Sequence, residues 1–148
     1  MTKLKCPIGR DAVKDYLPHR EPILLVDRVV DYTENNITTE IDLSDHKGLF
    51  EGHFPERAIL PGVYMIEMAA QAGALLVALN HGNLGEKFLA FSGVDKVKFR
   101  RPVKPNEIIR VEVELVNIRR TFYKFSGILH VGNEKAMILD FSAAMMEF

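Results

Sequence analysis

With one cysteine among 148 residues, the chain cannot form an internal disulfide. A reducing, cytoplasmic compartment is the default expectation, and Cys6 is given no function. Neither sign of charge dominates: 19 Lys and Arg against 20 Asp and Glu give a formal net charge of −1. That balance supplies no general pull toward nucleic acid or membrane, and neither is expected as a partner. Repeats, low-complexity tracts and linker-like stretches are missing, so residues 1–148 read as a single domain. The first segment, MTKLKCPIGRDAVKDY, lacks the apolar stretch of a signal peptide. Metal-ligand spacings are missing too. His46 and His53 have no supporting Cys, His or Asp cluster, and no metal or cofactor is expected.

What the chain does have is one long apolar run, Ala58 to Leu79, holding a single charge at Glu67. Its length would suit a membrane span. Pro61-Gly62 breaks it early, however, and Glu67 and Gln71 would meet hydrocarbon at a cost of several kcal/mol. A buried core helix from about Pro61 to Leu79 is the better expectation, with Pro tolerated at its start and Asn80-His81-Gly82-Asn83 ending it. The flanking segments read as strands. ILLVDRVVDY and ITTEIDL are joined by a turn at Thr33-Glu34-Asn35-Asn36, after a helical turn near Asp11 to Leu17. In IIRVEVELVNI, Ile109, Val111, Val113 and Leu115 share one face and Arg110, Glu112 and Glu114 the other. TFYKFSGILHV and KAMILDFSAAMMEF follow, linked through Gly132-Asn133. A helix apolar on nearly every side must be covered all round. An α+β domain, with a curved antiparallel sheet wrapped around one central helix, meets that requirement.

Glu67 is the anomaly in that helix. Its face-mates Val63, Ala70, Gln71 and Ala74 are apolar or small except Gln71, and no basic residue lies between Arg57 and His81. Burial of an unpaired carboxylate favours its protonated form, and an acid that keeps its proton near neutral pH can serve as a general acid. The competing reading makes Glu67 a structural hydrogen-bonder at a solvent edge or a subunit interface. His53 lies in Gly-His-Phe-Pro, a turn framed by Gly52 and Pro55, and histidine is the side chain suited to proton transfer at neutral pH. His19, His46, His81 and His130 read as structural. At Pro61-Gly62-Val63, the first N–H groups of the helix can hold an anionic oxygen, and Gly62 lets a substrate approach closely. A base on a loop, an acid on a helix and an oxyanion donor suit proton abstraction beside a carbonyl with loss of a β-substituent.

Three blocks carry a family likeness: LPHREPILLVDRV, GHFPERAILPGVYMIEMAAQ and FSGVDKVKFRRPVKP. From Leu17 onward the chain resembles the (3R)-hydroxyacyl-[acyl-carrier-protein] dehydratases, and among them the FabZ type. Glu67 favours that type over the FabA type, which usually carries Asp there, although Tyr64 stands where an aliphatic residue is usual. The resemblance implies a hotdog fold, homodimers that can assemble into hexamers, and active sites built from two subunits. It implies that His53 is the base on the α-carbon and that Glu67 of the neighbouring subunit protonates the departing hydroxyl. The Gly62 N–H, beside Val63, would bind the thioester oxygen, and the substrate would arrive on an acyl carrier protein. Fatty acid synthesis or a specialised lipid or polyene route would both use this reaction. An acyl thioesterase and a non-catalytic acyl-thioester binding subunit are the competing readings. Lys96, Lys98 and Arg100 alternate with Val97 and Phe99, so a strand would turn these cations to one side, with Arg101 and Lys104 nearby. This stripe is a candidate surface for an acidic carrier protein, or else a charged, solvated strand edge. Pro18, His19, Arg20, Asp27 and Arg28 read as structural.

Overall fold

The computed structural model describes residues 3–82 and 84–148. The chain runs β1 (Ile8–Gly9), α1 (Arg10–Val13), β2 (Arg28–Tyr32), β3 (Asn36–Asp42), α2 (Gly62–His81), β4 (Lys87–Phe99), β5 (Ile108–Arg119), β6 (Phe122–Val131) and β7 (Glu134–Glu147). Two short 3₁₀ turns, Leu43–Asp45 and Lys47–Phe50, carry the chain from β3 toward α2. The strands form one antiparallel sheet in the order β1-β2-β3-β5-β6-β7-β4, with β1 and β4 at its edges. One long helix lies against this sheet, the α+β hotdog arrangement expected.

Alternation decides which face of the sheet meets the helix. Ile109, Val111 and Val113 of β5 are buried, as are Ile37 and Ile41 of β3 and Phe125 and Leu129 of β6. Within α2, Met68, Ala69 and the residues from Gln71 to Leu79 are buried. Helix and sheet approach closely at Gly73, where a Cβ would stand 3.1 Å from the Phe125 ring and 3.2 Å from that of Phe141. Those two rings stack on each other at 4.8 Å. Gly73 therefore trades helix propensity for close approach to the aromatic pair. The helix is long and apolar enough to cross a membrane, yet 67 % of its apolar window is buried inside the fold.

The covering of α2 is incomplete at its first turns. Val63 is 69 % exposed, and Ile66, Glu67 and Ala70 are only half-buried. These residues lie along one face of the helix. The neighbouring edge strand β4 has Phe91 and Val94 exposed and pairs only with β7. An apolar helix stripe thus lies uncovered beside an unpaired strand edge.

Three expectations need correction. The segment Ile23–Val26 is not strand, because Gln71 takes up its backbone groups: Leu25 N–H donates to Gln71 Oε1 at 2.8 Å and Gln71 Nε2 donates to the Ile23 carbonyl at 2.7 Å. The alternation of Lys96 and Lys98 along β4 is broken by a register shift between Asp95 and Lys98, with Lys96 at φ 53. Lys96, Lys98 and Arg100 stay exposed, but not as one regular strand face. Arg101 leaves the stripe altogether, donating through its NH2 group to both Glu107 carboxylate oxygens at 2.9 Å. Asn83, expected in the helix terminus, lies outside the described residues.

Candidate active site

The loop before α2 is closed upon His53 and Ile59. Ile59 N–H donates to the His53 carbonyl at 2.9 Å, while His53 Nδ1 lies 2.9 Å from the Ile59 carbonyl. A carbonyl only accepts, so Nδ1 carries the proton and Nε2 keeps its lone pair. Further bonds hold the loop at both ends: His53 N–H to the Phe50 carbonyl, Phe54 and Arg57 to each other, and Leu60 N–H to the Val103 carbonyl. Phe54 stacks on the imidazole, its ring centroid 4.2 Å away. The His53–Phe54 peptide is cis. His53 is half-buried, and the bond to Ile59 and the Phe54 stack fix the direction of its ring.

The same loop delivers the chain to the start of α2. Pro61, at the N-cap, offers no side-chain acceptor. Tyr64 N–H turns back to the Pro61 carbonyl at 3.1 Å, which leaves Gly62 and Val63 N–H as the donors at the positive end of the helix dipole. The Phe99 ring lies over Gly62, and a Cβ there would stand 2.7 Å from it. Any side chain at position 62 would have to push that ring aside.

Glu67 follows after more than one helical turn, about 7.5 Å further along the axis. Its Oε2 accepts from Gln71 Nε2 at 2.8 Å, and His19 Nε2 stands 3.6 Å from the same oxygen. A cavity of about 200 Å³ at this point is lined by His19, Glu67, Gln71 and the apolar side chains of Phe88, Phe91, Phe125 and Phe141. A second cavity of about 440 Å³ adjoins it, sharing His19, Ala74, Phe88 and Leu89. Burial pushes the His19 imidazole below the ordinary histidine range; the Glu67 charge opposes this and Arg20 adds to it. His53 lines neither cavity, and no hydrogen bond joins it to Glu67 among the described residues.

The structure thus ties His53 to Ile59, three residues before Gly62 at the head of the helix. Glu67 sits with His19 and Gln71 at the mouth of an apolar cavity, on the uncovered helix face. The cations of β4 belong to neither group. His19, read as structural in the sequence, is brought to Glu67 only by the folded chain. The buried amide of Gln71, four residues beyond Glu67, was the available signal for a held carboxylate. Among the described residues, no cluster of His, Cys, Asp and Glu could hold a metal ion.

Comparison with known proteins gives a consistent result. A family model for the FabA-like domain matches residues 17–139. The 3-hydroxyacyl-[acyl-carrier-protein] dehydratase FabZ of Caulobacter vibrioides is 38 % identical over 133 residues, covering 88 % of this chain and 84 % of that protein. The FabZ dehydratase of Histophilus somni is 41 % identical over 121 residues, covering 81 % of this chain and 80 % of that protein. Among solved structures, the dehydratase heterocomplex ApeI:P from Xenorhabdus doucetiae matches with a TM-score of 0.78 at 19 % identity, covering 91 % of both chains. A mutant thioesterase from Pseudomonas aeruginosa matches with a TM-score of 0.63 at 13 % identity, covering 82 % of this chain and 81 % of that one. At such identities these two likenesses concern the fold alone.

Proposed function

The chain belongs to the FabA-like family and is similar over most of its length to FabZ-type hydro-lyases; from that premise we propose that it dehydrates (3R)-hydroxyacyl thioesters carried on acyl carrier protein. His53 Nε2 removes a proton from the α-carbon, and the charge that develops on the thioester oxygen is held by Gly62 N–H, with Val63 N–H beside it. Glu67 gives its proton to the β-hydroxyl, which leaves as water, and the trans-2-enoyl thioester remains. The proton on His53 then returns to Glu67 through solvent, restoring both groups.

The observation that carries this reading is the His53 Nδ1–Ile59 carbonyl bond of 2.9 Å, which turns Nε2 into the acceptor nitrogen on the loop that leads into the helix start. Among the described residues no hydrogen bond joins Glu67 and His53 within one chain, and the uncovered stripe of Val63, Ile66, Glu67 and Ala70 supports a homodimer in which each supplies the other's partner. Pairing along the β4 edge would bury Phe91 and Val94 and bring the cavity beside Glu67 to the second chain's loop. The exposed Lys96, Lys98 and Arg100 suit the steering of an acidic carrier protein toward this entrance.

The test is hydration of a crotonyl thioester, followed as loss of enoyl absorbance. Wild-type protein removes the absorbance, while His53→Ala and Glu67→Gln leave it nearly unchanged. Release of free thiol instead would assign the chain to thioester hydrolysis, the chemistry of several proteins sharing its fold.

A further inference from the structure

The two oxygens of the Glu67 carboxyl have different surroundings. Gln71 Nε2 donates to Oε2 at 2.8 Å, and His19 Nε2 faces the same oxygen at 3.6 Å. Among the described residues, no hydrogen bond reaches Oε1.

The Gln71 amide cannot turn round. Leu25 N–H, a donor, lies 2.8 Å from its Oε1, so the amide oxygen must face Leu25. The NH₂ group then faces the Ile23 carbonyl at 2.7 Å and Glu67. Both amide protons are spent, and the side chain is fully buried. The result is a rigid N–H donor aimed at Oε2.

His19 is directed in a similar way. Its Nδ1 is buried and finds no partner among the described residues. A buried N–H left without an acceptor costs more than a bare lone pair, so the proton belongs on Nε2, toward Glu67. At 3.6 Å this is an electrostatic approach and not a closed hydrogen bond.

We infer that Gln71 and His19 are positioning residues that reserve Oε2 of Glu67 as an acceptor, so that Oε1 carries the proton delivered to the departing hydroxyl. It rests on the reading of Glu67 as the acid. When Oε1–H gives up its proton, negative charge grows on the carboxyl, and two N–H groups already face the oxygen that shares it. Their contribution is therefore larger in the transition state than in the ground state, which places it in kcat.

Three variants of His19 test this in the assembled enzyme with a 3-hydroxyacyl thioester, thermal unfolding being recorded for each. His19→Phe keeps a ring but has no N–H. His19→Asn reaches only as far as Nδ1 and serves if the Phe variant does not fold. His19→Gln sets an amide N–H near the place of Nε2. Loss of one such donor lowers kcat about tenfold in the Phe and Asn variants, with KM nearly unchanged, and the Gln variant recovers most of the rate. Wild-type kcat in the donor-less variants, or no recovery with Gln, overturns the inference. Glu67→Gln in the same assay separates the two levels. If it turns over normally, the acid assignment itself fails; if it is inactive while His19→Phe is normal, only the positioning role fails.

Discussion

His53 Nδ1 and the backbone carbonyl of Ile59 lie 2.9 Å apart, and Ile59 N–H returns a bond to the His53 carbonyl at 2.9 Å. One residue pair thus closes the loop and sets the tautomer of the imidazole. His53→Asn separates these two jobs, since an Asn amide N–H can replace Nδ1–H but has no basic nitrogen. The variant should unfold within a few degrees of wild type and lose roughly 10²–10⁴ in kcat. Loss of folding together with activity would make the histidine mainly a loop brace.

Gly62 has a steric reason for being glycine, independent of backbone freedom. An added Cβ would stand 2.7 Å from the Phe99 ring. That ring is 52 % exposed, so it can swing aside, and Gly62→Ala should cost about 1 kcal/mol or less in denaturant unfolding. Turnover should nevertheless fall roughly 10²–10³, because the methyl and the displaced ring stand over the oxyanion donors. A fully active Gly62→Ala enzyme would show that the thioester oxygen binds elsewhere.

Asp27 anchors the loop side of the fold, away from the proposed chemistry. Its Oδ1 accepts from Arg10 NH1 and His46 Nε2, both at 2.9 Å, and its Oδ2 accepts from Asp42 N–H at 2.7 Å. Burial alone would raise this carboxyl, but the bonds from His46 and the Asp42 backbone, with the charges of His46 and Arg10, hold it below the ordinary aspartate range. A carboxyl lowered on folding adds stability that is present above its unfolded value and is lost as pH falls through the folded one. Asp27→Asn should lower unfolding free energy by about 2–3 kcal/mol at neutral pH and flatten the acid limb of the stability curve.

A second group lowered on folding is His19, whose imidazole is held down by burial despite Glu67 nearby. In the window below the ordinary histidine value, the unfolded chain binds more protons than the folded one. The stability contributed by neutral His19 is therefore complete above about pH 6.5 and declines as pH drops through the folded value. Denaturation of wild type and His19→Phe across mildly acidic pH measures this directly. The variant should show the weaker pH dependence.

Much of this could be read from residue order. Alternation in β5 and the Pro61-Gly62 break before an apolar run announce a helix-on-sheet domain, because both patterns report burial locally. His53 and Glu67 stand out for the same reason: each is a polar group in a setting that needs explaining. Less legible were features closed by distant partners. Ile23–Val26 has the composition of a strand, but its backbone bonds go to Gln71 on the helix. Arg101 looks like part of a basic stripe until Glu107 takes its guanidinium. His19 looked structural because nothing near it in sequence hints at Glu67.

The central claim is that one active site draws His53 and Glu67 from different subunits. Co-assembly of His53→Ala chains with Glu67→Gln chains tests it, since each hybrid dimer then contains one site with both groups intact. Random mixing of the two inactive proteins should restore about a quarter of wild-type dehydration. Activity that stays at the parental background, in dimers proven to have exchanged subunits, would contradict it.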